Sequence, residues 1–296
     1  MLVSVRQQVP EKLKAELRRV RARLLSLRLP SRGNSQQSEA EVEAGASLSV
    51  IIPISGASDV IRRCLVSLER YASRAEIILV DDASCTNIAD MLKGFEARNG
   101  WKVIRHDCPV GHSRATEVGA RLATRPILCL LNSDTVITPS SWEGIVNGFV
   151  SDNKIGAAGP STSWAVTDQM TKAAMHCRHY WNDSEICSYA NRLKKSRGKQ
   201  IVDLPEVSGC AFFIRRDIWQ DLGGFDPNLP DYGNESELCL RILERGWRIV
   251  WVKGSYIHHF GGKTYGSLDE KELFAKFARA RQYIDSKHPH TKAVRS

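Results

Sequence analysis

Along residues 48–134 the chain repeats one arrangement: a short apolar run rich in β-branched residues, then a longer stretch whose apolar positions recur every three or four residues. The runs are "LSVIIPI", "AEIILVDDAS", "KVIRH" and "PILCLLNSD", and the spacing predicts helices near 58–72, 87–98 and 112–123 between them. Strands apolar at successive rather than alternate positions are covered on both faces. The pattern therefore predicts an α/β domain with a mostly parallel central sheet flanked by helices. The second half is less regular. It contains a Trp/Tyr/His-rich stretch at about 160–200, the apolar run "VSGCAFFIRRDIW", a "GGFDP" turn, a helix opening at "GNESELCLR" and the strand-like "WRIVWVKGSYIHHFGG".

Upstream of the alternating region, Leu13, Leu17, Val20, Leu24 and Leu27 step by 4, 3, 4 and 3, which marks a narrow apolar seam on a basic helix between Pro10 and Pro30. Such a helix can form a short coiled coil or dock on a partner, lie on anionic lipid, or pack on its own domain. The expected organisation is a basic amphipathic helix over 1–30, a polar flexible linker over 31–47, and one domain over 48–265. That domain divides into a nucleotide-binding half (48–135) and a mixed acceptor half (136–265), and a C-terminal helical tail follows over 266–296.

Charge changes the picture only at the start of the chain. The net charge of the 296 residues is +9, yet the first 33 carry nine Lys or Arg against two Glu, a balance of +7, which leaves about +2 for the rest. No basic run with interleaved aromatics lies in the expected domain, so nucleic acid is not an expected partner. The eight cysteines are scattered singly with no CxxC pair, which fits buried free thiols in a reducing cytosol better than a zinc site. With no window of about 18 uninterrupted apolar residues and no signal-peptide pattern, the expected location is cytoplasmic, with peripheral attachment at the inner face of the membrane as one role for residues 1–30.

In parallel sheets ligands bind beyond the carboxyl ends of the strands. Two polar clusters stand at such ends: Asp81, Asp82 and Ser84 after one strand, and Asn132, Ser133 and Asp134 after another. Asp82 could accept from a base or ribose, or merely open an Asx turn; Asp134 could hold a hard divalent ion against a diphosphate, or cap the next backbone amides. His258 or His259 could add a neutral imidazole. At "GNESEL" the helix start itself favours acids. Asn234 as cap with Glu237 three residues on matches a capping-box pattern, which leaves Glu235 unexplained by the helix and a candidate general base.

The ordered series "SVIIPIS", "EIILVDDAS", "GHSRATEVGARLA", "LLNSDT", "VSGCAFFIRRDIW", "LGGFDP", "GNESELCLR" and "SYIHHFGG", over about residues 48–265, resembles the family 2 glycosyltransferases. The resemblance implies a GT-A fold and inverting transfer of a sugar from a nucleotide-sugar donor to a hydroxyl acceptor, in glycan, surface polysaccharide or glycolipid synthesis. It implies Mg²⁺ or Mn²⁺ as cofactor and a glycan or lipid-linked acceptor. Carried over by position, Pro53, Ser55 and Asp82 fall in the nucleoside part of the pocket, Gly111 on its diphosphate-facing side, and Gly209 on the acceptor-side strand. Asn132 and Asp134 occupy the place of the family's DXD element, with Asp134 the metal and diphosphate residue. His258, or His259 as the alternative, stands where the family often has a metal-contacting histidine, and Glu235 falls on the general base. The chain departs from the family pattern at "PIS", at "VGHSRATEVG" and at Asn234, which replaces an acid. Those departures leave a catalytically silent, nucleotide-sugar-binding or scaffolding member as the alternative reading.

Overall fold

The computed structural model describes residues 37–56, 58–261 and 270–290, so the helix expected over 1–30 lies outside the described residues. The alternating half forms as its pattern predicts. Strands β1 (Leu48–Ile54), β2 (Glu76–Asp81), β3 (Lys102–Arg105) and β4 (Ile127–Leu131) are connected by α2 (Ser58–Tyr71), α3 (Thr86–Asn99) and α4 (His112–Leu122). All three strand pairings among them are parallel, in the order β3-β2-β1-β4.

The second half extends the same sheet but mixes directions. Its strands are β5 (Thr135–Val136), β6 (Ile155–Thr162), β7 (Ile201–Asp203), β8 (Ala211–Arg215) and β9 (Arg248–His259), and the order continues β4-β8-β6-β9-β5 with β7 beside β9. β8 runs antiparallel to both β4 and β6, and β5 antiparallel to β9. Helices α5 (Glu143–Ser151), α6 (Lys172–Cys177), α7 (Asp183–Arg197), α8 (Arg216–Leu222) and α9 (Asn234–Glu244) connect these strands, and α10 (Glu270–Lys287) follows them.

The strand side chains alternate between two cores. Val50, Ile52 and Ile54 of β1 and Cys129 and Leu131 of β4 pack under Leu65 and Leu68 of α2, Leu92 and Phe95 of α3, and Trp142 of α5. Ile51, Leu128 and Leu130 face the opposite layer, against Ala115 of α4, Trp219 of α8 and Leu238 of α9. Burying each such side chain stabilises the fold by about 1.5–3 kcal/mol, which is why strands apolar on both faces were a usable signal. Gly119 of α4 lies directly on Ile51 and Val80, with no room for a β-carbon, and this brings α4 close against the sheet.

One expectation needs correcting at the edge of the domain. Within the span expected to be a flexible linker, Glu39–Gly45 form a helix, α1, whose N-cap Ser38 accepts from the Glu41 amide. The Glu41 carboxylate is buried and accepts from the amides of Trp142 and Glu143 at 2.9 and 3.0 Å, capping α5, while Lys194 of α7 donates to it at 3.0 Å. A polar composition reads as linker because its partners are a hundred residues away in the chain. The C-terminal tail is likewise docked: Ile284 and Ala280 of α10 pack on Leu229 and Leu240, and Lys287 bridges Asp226 and Glu237 at 2.6 and 2.7 Å. Among the described residues no helix is long and apolar enough to cross a membrane.

Glu41→Ala would leave the first amides of α5 buried without an acceptor. It is expected to lower unfolding free energy by about 1–3 kcal/mol, read as an earlier urea midpoint at unchanged slope; an unmoved midpoint would rule out α1 as a docked element.

Candidate functional site

The carboxyl ends of β1, β2 and β4 form one edge, and three groups of side chains converge on it. At the end of β2 the Asx turn is opened by Asp81 and not by Asp82: Asp81 Oδ1 accepts from the Ser84 amide at 2.9 Å, its other oxygen pairs with Arg105, and Arg105 donates to Ser84 O at 2.8 Å. Between them Ala83 adopts φ 55°, a costly conformation for a residue with a β-carbon. Asp82 anchors the next loop. Its oxygens accept from the amides of Val110 and Gly111 at 2.7 and 2.9 Å, and His106 Nδ1 lies 3.2 Å from Oδ1. Gly111 (φ 89°) then turns the chain into α4. Pro53 is buried within β1 rather than at its end, Ser55 is exposed beyond it, and the buried Ser84 Oγ has no hydrogen-bond partner.

The second group is built where β5 crosses β9. Thr135 pairs with His259 and Val136 with His258, so these two histidines face opposite sides of the ribbon. His259 turns toward Asp134, with Nε2 3.1 Å from Oδ1. Its Nδ1–H donates to Trp164 O at 2.8 Å, a bond that sets the tautomer and aims Nε2 into the site. Burial alone would raise the Asp134 carboxyl and lower the His259 imidazole. Their mutual attraction reverses both, holding Asp134 below and His259 well above its ordinary value. His258, the first choice of the pair from the sequence, is core instead. Its Nδ1 accepts from the Tyr256 hydroxyl at 2.9 Å, its Nε2–H donates to Arg178 O at 2.8 Å, and burial lowers it to about 3.

The third group sits at the start of α9. Here the capping-box expectation fails: the N-cap is Gly233 (φ 77°), and no side chain caps the helix. Asn234 is buried and donates to Ser113 Oγ at 2.7 Å, while Ser113 donates to Leu229 O at 2.9 Å, so the loop before α9 is tied to the first turn of α4. Glu237, fully buried, is consumed by Arg241 at 2.6 Å, Lys287 at 2.7 Å and His288 at 3.2 Å. Glu235 is different. It is half-buried against Gly209, where its carboxyl fills the space a β-carbon would take, and burial together with the nearby charge of Glu206 raises it to about 7.

Two residues that the sequence reading passed over belong to this edge. His112, in the first turn of α4, lies within the fields of Asp231, Asp134 and Asp82, although burial keeps its imidazole below the ordinary value. Its signal was only the histidine following Gly111. Arg178 stacks its guanidinium 4.5 Å over Trp164 and donates to Phe260 O at 3.1 Å, beside the His259 loop. Of the aromatic residues in the 160–200 stretch, Trp181 is core, packed on Tyr189 and His258. Asn132 holds the end of β4: its amide donates to Cys210 O, and its carbonyl accepts from Thr135.

Among the described residues no group of three or more His, Cys, Asp and Glu side chains forms a closed metal cage. The open pair fits a cation shared with a ligand. Asp134 Oδ1 is buried and faces His259 Nε2, and their 3.1 Å separation matches the edge of an octahedron with ligands at about 2.1 Å, roughly 3 Å. The remaining positions would fall to a diphosphate and water.

Comparison with known proteins places the fold and the family. The mannosyltransferase PcManGT of Pyrobaculum calidifontis, solved with GDP-Man and Mn²⁺, superposes with a TM-score of 0.58 at 15% identity, covering 96% of this chain and 74% of that one. GalNAc-T7, solved with UDP, GalNAc and Mn²⁺, gives 0.59 at 18% identity, covering 83% and 51%. These likenesses establish a GT-A fold. In sequence, the O-antigen biosynthesis protein RfbC of Myxococcus xanthus is 23% identical over 266 residues, 83% of this chain and 20% of its own length. The uncharacterized protein y4gI of Sinorhizobium fredii is also 23% identical, over 82% of this chain and 28% of its own. This chain thus spans less than a third of either of those two relatives. The model described as Glycosyl transferase family 2 matches residues 49–223, more than half of the chain, and the chain belongs to that family.

Proposed function

We propose that this protein is an inverting, metal-dependent glycosyltransferase that moves a sugar from a nucleoside-diphosphate sugar to a hydroxyl of a glycan or lipid-linked acceptor. The observation that carries the reading is Glu235. It is an acid with no cationic partner among the described residues, raised to about 7 beside Gly209, where a base working near neutral pH belongs. A structural acid would be consumed as Glu237 is.

In this reading Glu235 takes the proton of the acceptor hydroxyl as its oxygen attacks the anomeric carbon. The bond from that carbon to the diphosphate breaks on the opposite face, so configuration inverts. Asp134 Oδ1 and His259 Nε2 would hold Mg²⁺ or Mn²⁺, which when bound neutralises charge on the departing diphosphate. The half-buried His112, among Asp82, Asp134 and Asp231, would contact the same phosphates, and the orphaned Ser84 hydroxyl beyond Ala83 suits a nucleoside donor or acceptor atom. Asp82 supports that pocket from behind by fixing Val110 and Gly111. PcManGT and GalNAc-T7, solved with GDP-Man or UDP and with Mn²⁺, support the donor class and the metal.

The silent, scaffolding alternative draws on the departures from the family pattern, above all on Asn234. That residue is buried and hydrogen-bonded to Ser113, so the acid it replaces is not missing from the reacting centre, and this favours the active reading. Residues 1–30 would attach the enzyme to anionic membrane near its acceptor.

Glu235→Gln is expected to lower transfer by about 10²–10⁴-fold with donor affinity retained, in a radiolabelled-sugar transfer assay with parallel calorimetry. Because the base must be deprotonated, kcat/KM should fall as pH drops through about 7 and level off above it; a flat profile between pH 5 and 8 would remove Glu235 from the role. Asp134→Ala should reduce turnover by on the order of a hundredfold or more and abolish the gain in nucleotide affinity on adding Mn²⁺. Nucleotide binding without turnover in the unmodified protein would favour the silent reading. Deleting residues 1–33 should release the protein from vesicles containing phosphatidylglycerol, and unchanged sedimentation would discard the lipid role.

A further inference from the structure

α10 packs across the start of α9 by a stripe at i, i+3 and i+7: Phe277, Ala280 and Ile284. Ile284 and Ala280 lie against Gly233, where a β-carbon would collide with them. Phe277 pairs with Tyr232, ring centroids 4.4 Å apart and planes tilted by 46°. The stripe does not stop at the packed surface. One turn back, Phe274 is 71% exposed, and Phe277 itself is 49% exposed. Two neighbouring phenylalanines held in water are costly, and such a patch marks a contact surface.

We propose that Tyr232, Phe277 and Phe274 form a stacking platform for a pyranose ring of the acceptor, so that the substrate receiving the transferred sugar is itself a glycan. This rests on the glycosyl-transfer reading and adds to it the class of acceptor. Position is the first argument. Tyr232 follows Asp231, which pairs with Lys276 of α10, lies against Gly111 and acts on the His112 imidazole, so the platform adjoins the edge where the candidate site gathers.

Chemistry is the second. The exposed apolar side chains here are rings rather than aliphatic chains, and a flat π face matches the C–H face of a pyranose while leaving its hydroxyls at the rim. The rim carries polar groups to receive them, the carboxylate of Asp231 and the ammonium of Lys276, 3.5 Å apart and each more than a third exposed. Charge is the third. An anionic bilayer would need free cations beside the rings. Among the described cations of α10, Lys276, Arg281 and Lys287 are paired with Asp231, with Asp285, and with Asp226 and Glu237, which leaves the exposed Arg279 as a single unpaired charge, too little for an anionic surface.

The test is saturation-transfer NMR on the full chain with methyl glycosides of glucose, galactose, mannose and rhamnose. Saturation is expected on the ring C–H protons of at least one glycoside. It should fall at least fivefold in the double variant Phe274→Leu/Phe277→Leu, which keeps apolar area but removes the rings, and persist in Phe277→Trp. Thermal melts of the variants that match the unmodified protein would exclude misfolding as the cause, and Phe277→Leu alone supplies the same comparison should the double variant melt early. No saturation on any glycoside, or equal saturation in the leucine variants, overturns the platform. So does co-sedimentation with phosphatidylcholine vesicles that depends on the two phenylalanines, which would make the patch a lipid face. Calorimetry of UDP and GDP with Mn²⁺ is run alongside: if neither nucleotide binds, the donor reading fails whatever the glycosides do.

Discussion

The site depends on a buried carboxylate being tolerated at the end of β4. Asp134 is almost wholly removed from water, and an isolated charge in that position would cost several kcal/mol. The two-residue pairing of β5 with β9 offsets that cost by setting His259 opposite Thr135 and bringing its Nε2 within 3.1 Å of Asp134. Ser163 holds β9 in place by donating to His259 O and accepting from His259 N, both at 2.8 Å, and Trp164 O orients the imidazole. A proton between the two side chains and a divalent cation between them are alternative solutions to one electrostatic problem. In the proposed reading the pair is stable without ligand and would exchange the proton for the cation.

Around this pair the fold divides labour between its halves. Parallel strands, each ending at the same edge, supply the turns at Asp81–Ser84 and Asn132–Asp134. The mixed half supplies His259, Gly209 and α9. What makes one site of them is a short polar stitch: Asn234 to Ser113, Ser113 to Leu229, and Asp82 to the amides before α4. Each of these side chains looks like a ligand-binding group in isolation, and each is spent on alignment. Among the described residues the arrangement leaves Glu235 as the acid on α9 that no cation neutralises, while Glu237, two residues on, is surrounded by Arg241, Lys287 and His288.

The order of elements was legible because apolar runs on both faces of a strand and three-to-four spacing in a helix are local signals; α2 to α4 form within a residue or so of where the pattern puts them, while β2 and β4 end three residues before their runs do. The places of Asp134 after a strand and of Glu235 at a helix start were legible as well, since such positions are also local. The helix at Glu39–Gly45, inside the expected linker, was not legible for the opposite reason: Glu41 in α1 finds its partners at Trp142, Glu143 and Lys194, and composition carries no trace of them.

By itself, then, the sequence determined the α/β alternation, the edge at which chemistry gathers, and the family through the order of its motifs. Tertiary structure decided which of two adjacent histidines faces Asp134, that Asp82 anchors a loop, that Asn234 and Glu237 bind across elements instead of capping their own helix, and that Phe277 of α10 packs on Tyr232. Every one of those choices turns on contacts between residues tens of positions or more apart. Strand register and helix docking create such contacts, and only the folded chain contains them.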